Sequence, residues 1–263
     1  MLRELETARE LALRAGAILL HHYNGDSKVE WKTGGGPVTE ADRAVNDFLV
    51  HELRQRFPGD AIVSEEQARE AGAKGASRVW IIDPMDGTRE FIYRNGEFSV
   101  MIGLAEGGQA VVGAVYQPTL DKLYSAASGA GVSLAQHGAV TRLTVSPETD
   151  PAQMRVAFSR SHHAPEVEAL CARFGVTQSI RCGSIGIKIG LICERRAHLY
   201  VHTGSHISQW DTCAADILLH EAGGRMTDKH GMPLRYGGEE PRLLNGVIAS
   251  TGTIHAQIVE GCR

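Results

Sequence analysis

Six short apolar segments follow one another between residues 61 and 136, and they constrain the fold of this chain more than any other feature. They read AIVS, VWIID, FSVMIGLAE, QAVVGAVYQP, KLYSAA and GVSLA. The links between them are short and contain Gly or Asp, which favours antiparallel strands over parallel strands joined by helical crossovers. The middle of the chain is therefore predicted to form one antiparallel sheet.

Two amphipathic helices are predicted ahead of this sheet. Apolar residues recur near a 3.6-residue period over residues 2–22, as in a helix that buries one face. Thr39 is predicted to cap a second helix that ends near Phe57. The segment KTGGGP between the two helices is rich in glycine, and we expect it to form a mobile loop.

After about Pro147 strand and helix patterns alternate. Strands are predicted at MRVAFS, SIRCG, HLYV and VIAST, with helices at PEVEALCARF and over residues 185–195 and 211–221. This order predicts an α+β protein with two halves. Residues 1–146 form an N-terminal half with two helices and an antiparallel sheet, and residues 147–263 form an alternating α/β half.

Composition excludes several classes of partner. The net charge of −4 and the lack of a basic run argue against a nucleic acid polymer. No apolar run reaches bilayer length, and the N-terminus resembles an amphipathic helix rather than a signal peptide. Five cysteines without a C-x-x-C pair predict reduced thiols. We therefore expect a cytoplasmic protein that binds no membrane.

Three histidines, His198, His202 and His206, recur every fourth residue, which would align them on a helix. The segment that holds them, AHLYVHTGSH, combines a β-like run with a Thr-Gly-Ser turn. A shared helical face that binds a metal is therefore not expected.

Five acids occur at the ends of predicted elements. Asp83 and Asp86 close an apolar strand, with Pro84 predicted to end the strand and Gly87 to permit a tight turn. Singly, each acid has an ordinary explanation as a surface-turn residue, a solvated loop acid or a first-turn acid that complements a helix dipole. The complete set is Asp42, Glu65, Asp83, Asp86 and Asp211.

Taken together, these acids are better explained as ligands for Mg²⁺. This ion takes oxygen ligands and binds through a few carboxylates while it retains waters and phosphate oxygens. With cations between them, the acids attract a phosphate ester that bare carboxylates would repel. The backbone N–H groups of Gly87 and Thr88 are then expected to face phosphate oxygens, and the Thr88 hydroxyl to orient a water. The residues thus predict metal-assisted phosphate hydrolysis.

Separate segments of the chain resemble the signatures of the inositol monophosphatase-like, lithium-sensitive metal phosphatases. They are PVTEAD, the pair EE, WIIDPMDGTREF and WDTCAADILLHEAGG, in the family's order. The resemblance covers essentially the whole chain. It implies the layered αβαβα sandwich of the inositol monophosphatase and sugar phosphatase type.

The resemblance also implies roles for individual residues. Water held by Glu65 and Thr88 is expected to attack phosphorus in line while a second ion stabilises the leaving oxygen. Asp42 matches the family acid that helps to hold a third, weaker metal or orients the threonine. Asp211 is expected to contact substrate as well as metal. With two or three Mg²⁺ ions per site, the implied metal ligands are Glu65, Asp83, the Met85 carbonyl, Asp86 and Asp211.

The segments DGTREFIYRNGEF, FSRSHH and GSIGIK resemble the CysQ-type branch, whose members are 3′(2′),5′-bisphosphate nucleotidases. They suggest that His162, Ser184 and Lys188 contact the nucleotide and its second phosphate. An ordinary loop residue is the alternative for His162, and a solvated helix lysine is the alternative for Lys188. Many members carry an arginine where this chain has His202. A neutral imidazole binds a remote phosphate more weakly than a fixed guanidinium group does.

The leading interpretation is therefore a Mg²⁺-dependent phosphomonoesterase that converts adenosine 3′,5′-bisphosphate to AMP and phosphate and serves sulfur metabolism. The nearest alternative is an inositol-1-phosphate or fructose-1,6-bisphosphate phosphatase of broad specificity. A non-catalytic nucleotide- or metal-binding regulator would have lost a ligand, and none is lost here. The expected partner is a small phosphate ester, and the expected assembly is a monomer or a homodimer.

Overall fold

The computed structural model describes residues 1–25, 28–31, 36–67, 75–161 and 165–262. Residues 32–35 of the glycine-rich segment and His162 lie outside these ranges. The predicted mobility of that segment and the predicted nucleotide contact of His162 therefore stay predictions.

The N-terminal helices form as predicted, and the second helix begins with a complete cap. The Thr39 side chain accepts hydrogen bonds from the N–H groups of Ala41 and Asp42, and the Asp42 carboxylate accepts one from the Thr39 N–H. The helices are α1 (Leu2–Asn24) and α2 (Glu40–Arg56), separated by an antiparallel pair of short strands, β1 (Val29–Trp31) and β2 (Pro37–Thr39).

A seven-stranded sheet follows, and its strand order is the order of the chain. Its first strand runs parallel to the second, so the antiparallel prediction is wrong at that position. A parallel neighbour needs a long connection, which residues 65–77 supply. The last strand was not predicted, because its side chains are mostly exposed and carry no apolar pattern. The strands are β3 (Ala61–Ser64), β4 (Arg78–Asp86), β5 (Ser99–Glu106), β6 (Gln109–Gln117), β7 (Lys122–Ala127), β8 (Gly131–Gln136) and β9 (Ala139–Leu143).

A second, mixed sheet of five strands lies in the C-terminal half in the order β11-β10-β12-β14-β13. The helix predicted from Asp211 begins two residues later, because residues 208–211 form a turn in which Asp211 accepts a hydrogen bond from the Ser208 N–H. The strands are β10 (Arg155–Ser159), β11 (Gln178–Cys182), β12 (Leu199–His202), β13 (Gly224–Thr227) and β14 (Val247–Thr251). The remaining helices are α3 (Thr88–Ile92), α4 (Pro165–Phe174), α5 (Ile185–Cys193), α6 (Cys213–Glu221) and α7 (His255–Gly261).

Three apolar cores hold five layers together, which confirms the predicted αβαβα sandwich. Leu11 of α1 packs with Trp80 on one face of the large sheet. Ile81 on the opposite face joins Leu218 of α6 in a core shared with the small sheet. Leu170 of α4 belongs to the third core, on the outer face of the small sheet. Because the two halves share the middle core, the division at residue 146 stays a prediction about chain organisation.

None of the helices within the described ranges combines the length and the apolar character needed to cross a bilayer.

The buried His255 side chain makes stability depend on pH. Its ring nitrogens lie 2.9 Å from the Thr227 hydroxyl and 2.8 Å from the Ser250 hydroxyl. Burial lowers the pKa of His255 from 6.5 to about 4. The His255 imidazole therefore takes up a proton less readily in the folded state than in the unfolded state. As a result, acidification from pH 6.5 towards pH 4 favours unfolding.

We expect the free energy of unfolding to fall by about 1 kcal/mol between pH 7 and pH 5 on account of His255, after allowance for partial screening. Urea unfolding at the two pH values measures the loss. His255→Gln keeps a neutral hydrogen-bonding side chain, so its unfolding free energy should vary less with pH by this amount. An unchanged pH dependence in the variant would contradict the assignment.

Candidate active site

Asp83 and Asp86 lie on one face of β4 because the strand bulges between them. In the pairing with β5, Asp83 lies opposite Met101 and Asp86 lies opposite Ser99. A three-residue step on β4 thus matches a two-residue step on β5, which places both acids on the same face. The prediction that Pro84 ends the strand is wrong, because a bulge accommodates proline.

Gly87 turns the chain sharply after the second acid. Its φ of 102° is in the left-handed region, and a Cβ atom there would lie 2.8 Å from the Glu97 carbonyl oxygen. Glycine meets both requirements without strain. The turn places Thr88 at the first position of α3, one residue from the bulged strand.

Asp86 is held by the start of α5, about a hundred positions later in the chain. Its Oδ2 atom accepts hydrogen bonds from the Ser184 hydroxyl at 2.6 Å and from the Gly186 N–H at 2.9 Å. Ser184 is fully buried, caps α5 through the Ile187 N–H and lies 2.8 Å from the Ser99 hydroxyl. The hydroxyl contacts of Ser184 are thus with the protein, and its nucleotide contact stays a prediction.

Lys188 lies in the interior next to these acids, so the alternative of a solvated helix lysine is wrong. It is 1% exposed, and its Nζ atom donates a hydrogen bond to the Gly183 carbonyl and lies 5.2 Å from the centre of the Tyr200 ring. Burial lowers the pKa of Lys188, while the negative charges of Asp86 and Glu90 raise it. Burial raises the pKa of Asp86, and the positive charge of the Lys188 ammonium group lowers it.

Thr88 contacts Asp42, and this contact joins a helix cap to the candidate site. The Thr88 hydroxyl lies 3.3 Å from Asp42 Oδ1, while Asp42 Oδ2 accepts hydrogen bonds from the Thr39 N–H and hydroxyl at 2.6 and 2.7 Å. Burial, with the nearby charges of Glu66 and Glu65, raises the pKa of Asp42 to about 7. Asp42 therefore caps α2 with one oxygen and faces Thr88 with the other.

Asp83, which is buried, and Asp211, which is half-buried, complete a group of acids that destabilise one another in their ionised forms. Burial raises the pKa of Asp83 well above its usual value, and the charges of Glu65, Asp86 and Asp211 raise it further. Burial likewise raises the pKa of Asp211, with added contributions from Asp86 and Glu65. Carboxylates from β4, from the turn before α6 and from the end of β3 thus lie near enough to interact.

The chemistry of these donors fits Mg²⁺. All of them are oxygen atoms, and a cation among them would relieve the mutual repulsion of the ionised acids, which is otherwise relieved by protonation. Within the described ranges, no three acidic, histidine or cysteine side chains are already gathered as a ready-made metal site. The fit therefore rests on the donor types and their electrostatic coupling, and the individual ligands stay predictions.

The histidines differ in their surroundings. His198 is buried, and its Nδ1 atom accepts a hydrogen bond from the Arg155 N–H at 3.0 Å, as expected for a residue of the core. His202 ends β12 two residues after Tyr200 and therefore lies on the same face of the sheet. Because Tyr200 interacts electrostatically with Asp211 and Asp86, His202 lies on the side of the sheet that faces the acids.

Tyr200 and Glu90 were missed from the sequence. Glu90 is 4% exposed and accepts a hydrogen bond from the Ser161 hydroxyl. Its position four residues after Asp86, on the turn that follows the acid pair, was a usable signal. Tyr200 carried none, because its neighbours in the chain are apolar strand residues.

Removing the charge of Lys188 tests whether this residue supports Asp86 or binds the substrate. In Lys188→Met we expect kcat/KM to fall about tenfold or more for adenosine 3′,5′-bisphosphate and for p-nitrophenyl phosphate alike, because Asp86 loses its counter-charge. Lys229→Met, the same substitution at a lysine outside the candidate site, is the control and should leave kcat/KM unchanged. A loss confined to the KM of the bisphosphate would show instead that Lys188 binds the second phosphate.

Comparison with known proteins gives concordant matches. The model of the inositol monophosphatase family matches residues 1–262. The 3′(2′),5′-bisphosphate nucleotidase CysQ of Escherichia coli K12 is 34% identical over 249 residues, which is 94% of this chain and 99% of the relative. Human inositol monophosphatase 2 is 32% identical over 244 residues, 87% of this chain and 81% of the relative.

Among solved structures, CysQ from Bacteroides thetaiotaomicron, described as a bacterial member of the inositol monophosphatase family, superposes with a TM-score of 0.80. It is 30% identical, and the superposition covers 95% of this chain and 97% of that one. The similarity in sequence and in fold thus extends over nearly the full length of the chain.

Proposed function

The chain belongs to the inositol monophosphatase family, and we propose that within it the protein is a Mg²⁺-dependent 3′(2′),5′-bisphosphate nucleotidase. The observation that carries this proposal is the group of interacting acids around the β4 bulge, next to the Thr88–Asp42 pair. The proposed reaction converts adenosine 3′,5′-bisphosphate to AMP and phosphate.

In this proposal the acids hold two or three Mg²⁺ ions. When bound, Mg²⁺ neutralises the phosphate ester, polarises it and makes coordinated water more acidic. The backbone N–H groups of Gly87 and Thr88 are proposed to face the phosphate oxygens, and Asp211 is proposed to contact the substrate as well as Mg²⁺. The proposed ligands are the side chains of Glu65, Asp83, Asp86 and Asp211 and the carbonyl of Met85.

The proton of the attacking water passes to this chain's own residues. The Thr88 hydroxyl lies 3.3 Å from Asp42 Oδ1, so it can pass its own proton to the Asp42 carboxylate as its oxygen takes one from the water. Glu65 orients the same water. As the new bond from water to phosphorus forms, the ester P–O bond breaks in line, and the ribose oxygen of AMP takes up a proton from solvent as it leaves.

His162 and His202 are the proposed contacts of the nucleotide and its second phosphate. Clearance of a bisphosphorylated nucleotide would place the protein in sulfur metabolism in the cytoplasm. The resemblance to the lithium-sensitive phosphatases further implies that lithium inhibits it. A second candidate function, hydrolysis of inositol-1-phosphate or fructose-1,6-bisphosphate, is favoured by His202, which binds a remote phosphate more weakly than an arginine would.

Phosphate release in the presence of Mg²⁺ decides between these functions. Adenosine 3′,5′-bisphosphate, inositol-1-phosphate and fructose-1,6-bisphosphate are compared by kcat/KM. The nucleotidase proposal expects a preference for the nucleotide of about 100-fold, roughly 2.7 kcal/mol of differential transition-state binding. Comparable rates on all three would refute it and leave a phosphatase of broad specificity.

A further inference from the structure

A cavity of about 310 Å³ lies between the start of β6, α6 and β13. It is at the far end of the large sheet from the candidate active site. Ser99, at the start of β5, is paired with Asp86, whereas Glu106, at its end, is paired with Gln109 beside the cavity. Seven residues of strand separate these two ends, which corresponds to roughly 23 Å. The cavity is thus distinct from the candidate active site.

Asp216 is the acidic residue of this cavity. One oxygen of its carboxylate accepts a hydrogen bond of 2.9 Å from the Tyr236 hydroxyl. Among the described residues it has no ion-pair partner, and burial raises its pKa to about 7. An ionised carboxylate without a positively charged partner costs free energy in this cavity. A neutral side chain that accepts the Tyr236 hydrogen bond would avoid that cost.

The rest of the lining is mixed, with an apolar wall and the polar side chains of Gln109, Ser128, Thr227, His220 and Arg225. Ile217, Met226 and Leu234 are buried side chains of the wall, whereas His220 and Arg225 are exposed residues at its border. The cavity therefore combines a negatively charged group with an apolar surface, at the lower end of the usual size range of small-molecule sites.

We propose that this Asp216 cavity binds a small organic cation, a protonated primary amine on an apolar body. The ammonium group pairs with Asp216, and the apolar body packs against Ile217, Met226 and Leu234. The cation compensates the charge that no side chain of the described part of the chain compensates. This site does not depend on the function proposed above.

The cavity and the candidate active site share an element of the fold. Tyr236 donates a hydrogen bond to Asp216. The same helix, α6, begins next to Asp211 and carries Asp216 in its first turn. A ligand on Asp216 would thus contact the helix that begins two residues after a proposed metal ligand.

Benzylamine and benzyl alcohol, which have similar shapes and differ in charge, test the site by calorimetric titration at pH 8 with Mg²⁺ present. We expect benzylamine to bind with a Kd of about 1–10 mM and benzyl alcohol to bind at least tenfold more weakly. Asp216→Asn retains an acceptor for Tyr236 and should weaken benzylamine binding at least tenfold. Asp86→Asn should bind benzylamine as the parent does, which separates this cavity from the active-site acids.

Equal binding of benzylamine by the parent and by Asp216→Asn would overturn the proposal, as would no binding by the parent up to about 20 mM. Ala110→Leu fills part of the cavity and leaves the carboxylate in place. It should also weaken benzylamine binding, and it provides an independent test if Asp216→Asn is poorly folded.

Discussion

Asp86→Asn is expected to lose about 10³-fold or more in kcat, close to 4 kcal/mol of transition-state stabilisation. The reason is that asparagine removes one of the negative charges that are proposed to hold Mg²⁺. Its carbonyl oxygen can still accept the hydrogen bonds of the Ser184 hydroxyl and the Gly186 N–H, so the support from α5 is retained. Steady-state phosphate release under saturating Mg²⁺ measures the loss.

The stability of the same variant separates loss of metal from loss of fold. Burial raises the pKa of Asp86, which means that its ionised form is unfavourable in the metal-free folded state. Without metal, Asp86→Asn should therefore have a Tm close to that of the parent, while the rise in Tm on addition of Mg²⁺ should be much smaller. Asp47→Asn, at an exposed position of α2, is the control. A kcat of Asp86→Asn equal to that of the unmodified protein would refute the proposed metal site.

Thr88→Val is expected to lower kcat by about 10²–10³-fold while KM changes by less than about threefold. Valine preserves the shape of threonine and removes the hydroxyl that lies 3.3 Å from Asp42. Since this hydroxyl is proposed to act on the attacking water, its loss affects the chemical step rather than substrate binding. Initial rates over a range of substrate concentrations separate the two parameters.

Thr88→Ser retains the hydroxyl and should keep kcat within about tenfold of the parent. If Thr88→Val instead raised KM with little effect on kcat, Thr88 would be a residue that binds the substrate. Asp42→Asn adds a further comparison, because Asp42 both caps α2 and faces Thr88. A loss of kcat without a loss of Tm would separate these two roles.

The local pattern of the sequence was sufficient for most of the fold. The apolar period of residues 2–22 and the Thr39 cap predicted both N-terminal helices, because these signals depend on residues within a few positions of each other. Short Gly- and Asp-containing links likewise predicted the meander from β4 to β8. The parallel pairing of β3 with β4 was missed, because the direction of a strand depends on where a long connection returns.

The acids of the site were also found from the sequence, since each follows a recognisable element end. The arrangement of these acids in space was not found from the sequence. The sequence suggested that Pro84 ends the strand, whereas the bulge that continues through it places Asp83 and Asp86 on one face. The sequence explained Asp42 either as a first-turn acid that complements the helix dipole or as a site residue, and the structure shows that one carboxylate both caps α2 and faces Thr88.

The sequence by itself thus determined the order of the elements, the family and the identity of the acids, because these are properties of short stretches of chain. Only the tertiary structure placed Ser184 and Lys188 next to Asp86 and Tyr200 next to Asp211, and it alone revealed the cavity at Asp216. The physical reason is that burial and charge compensation depend on groups far apart in the chain. No periodicity or spacing carries that information.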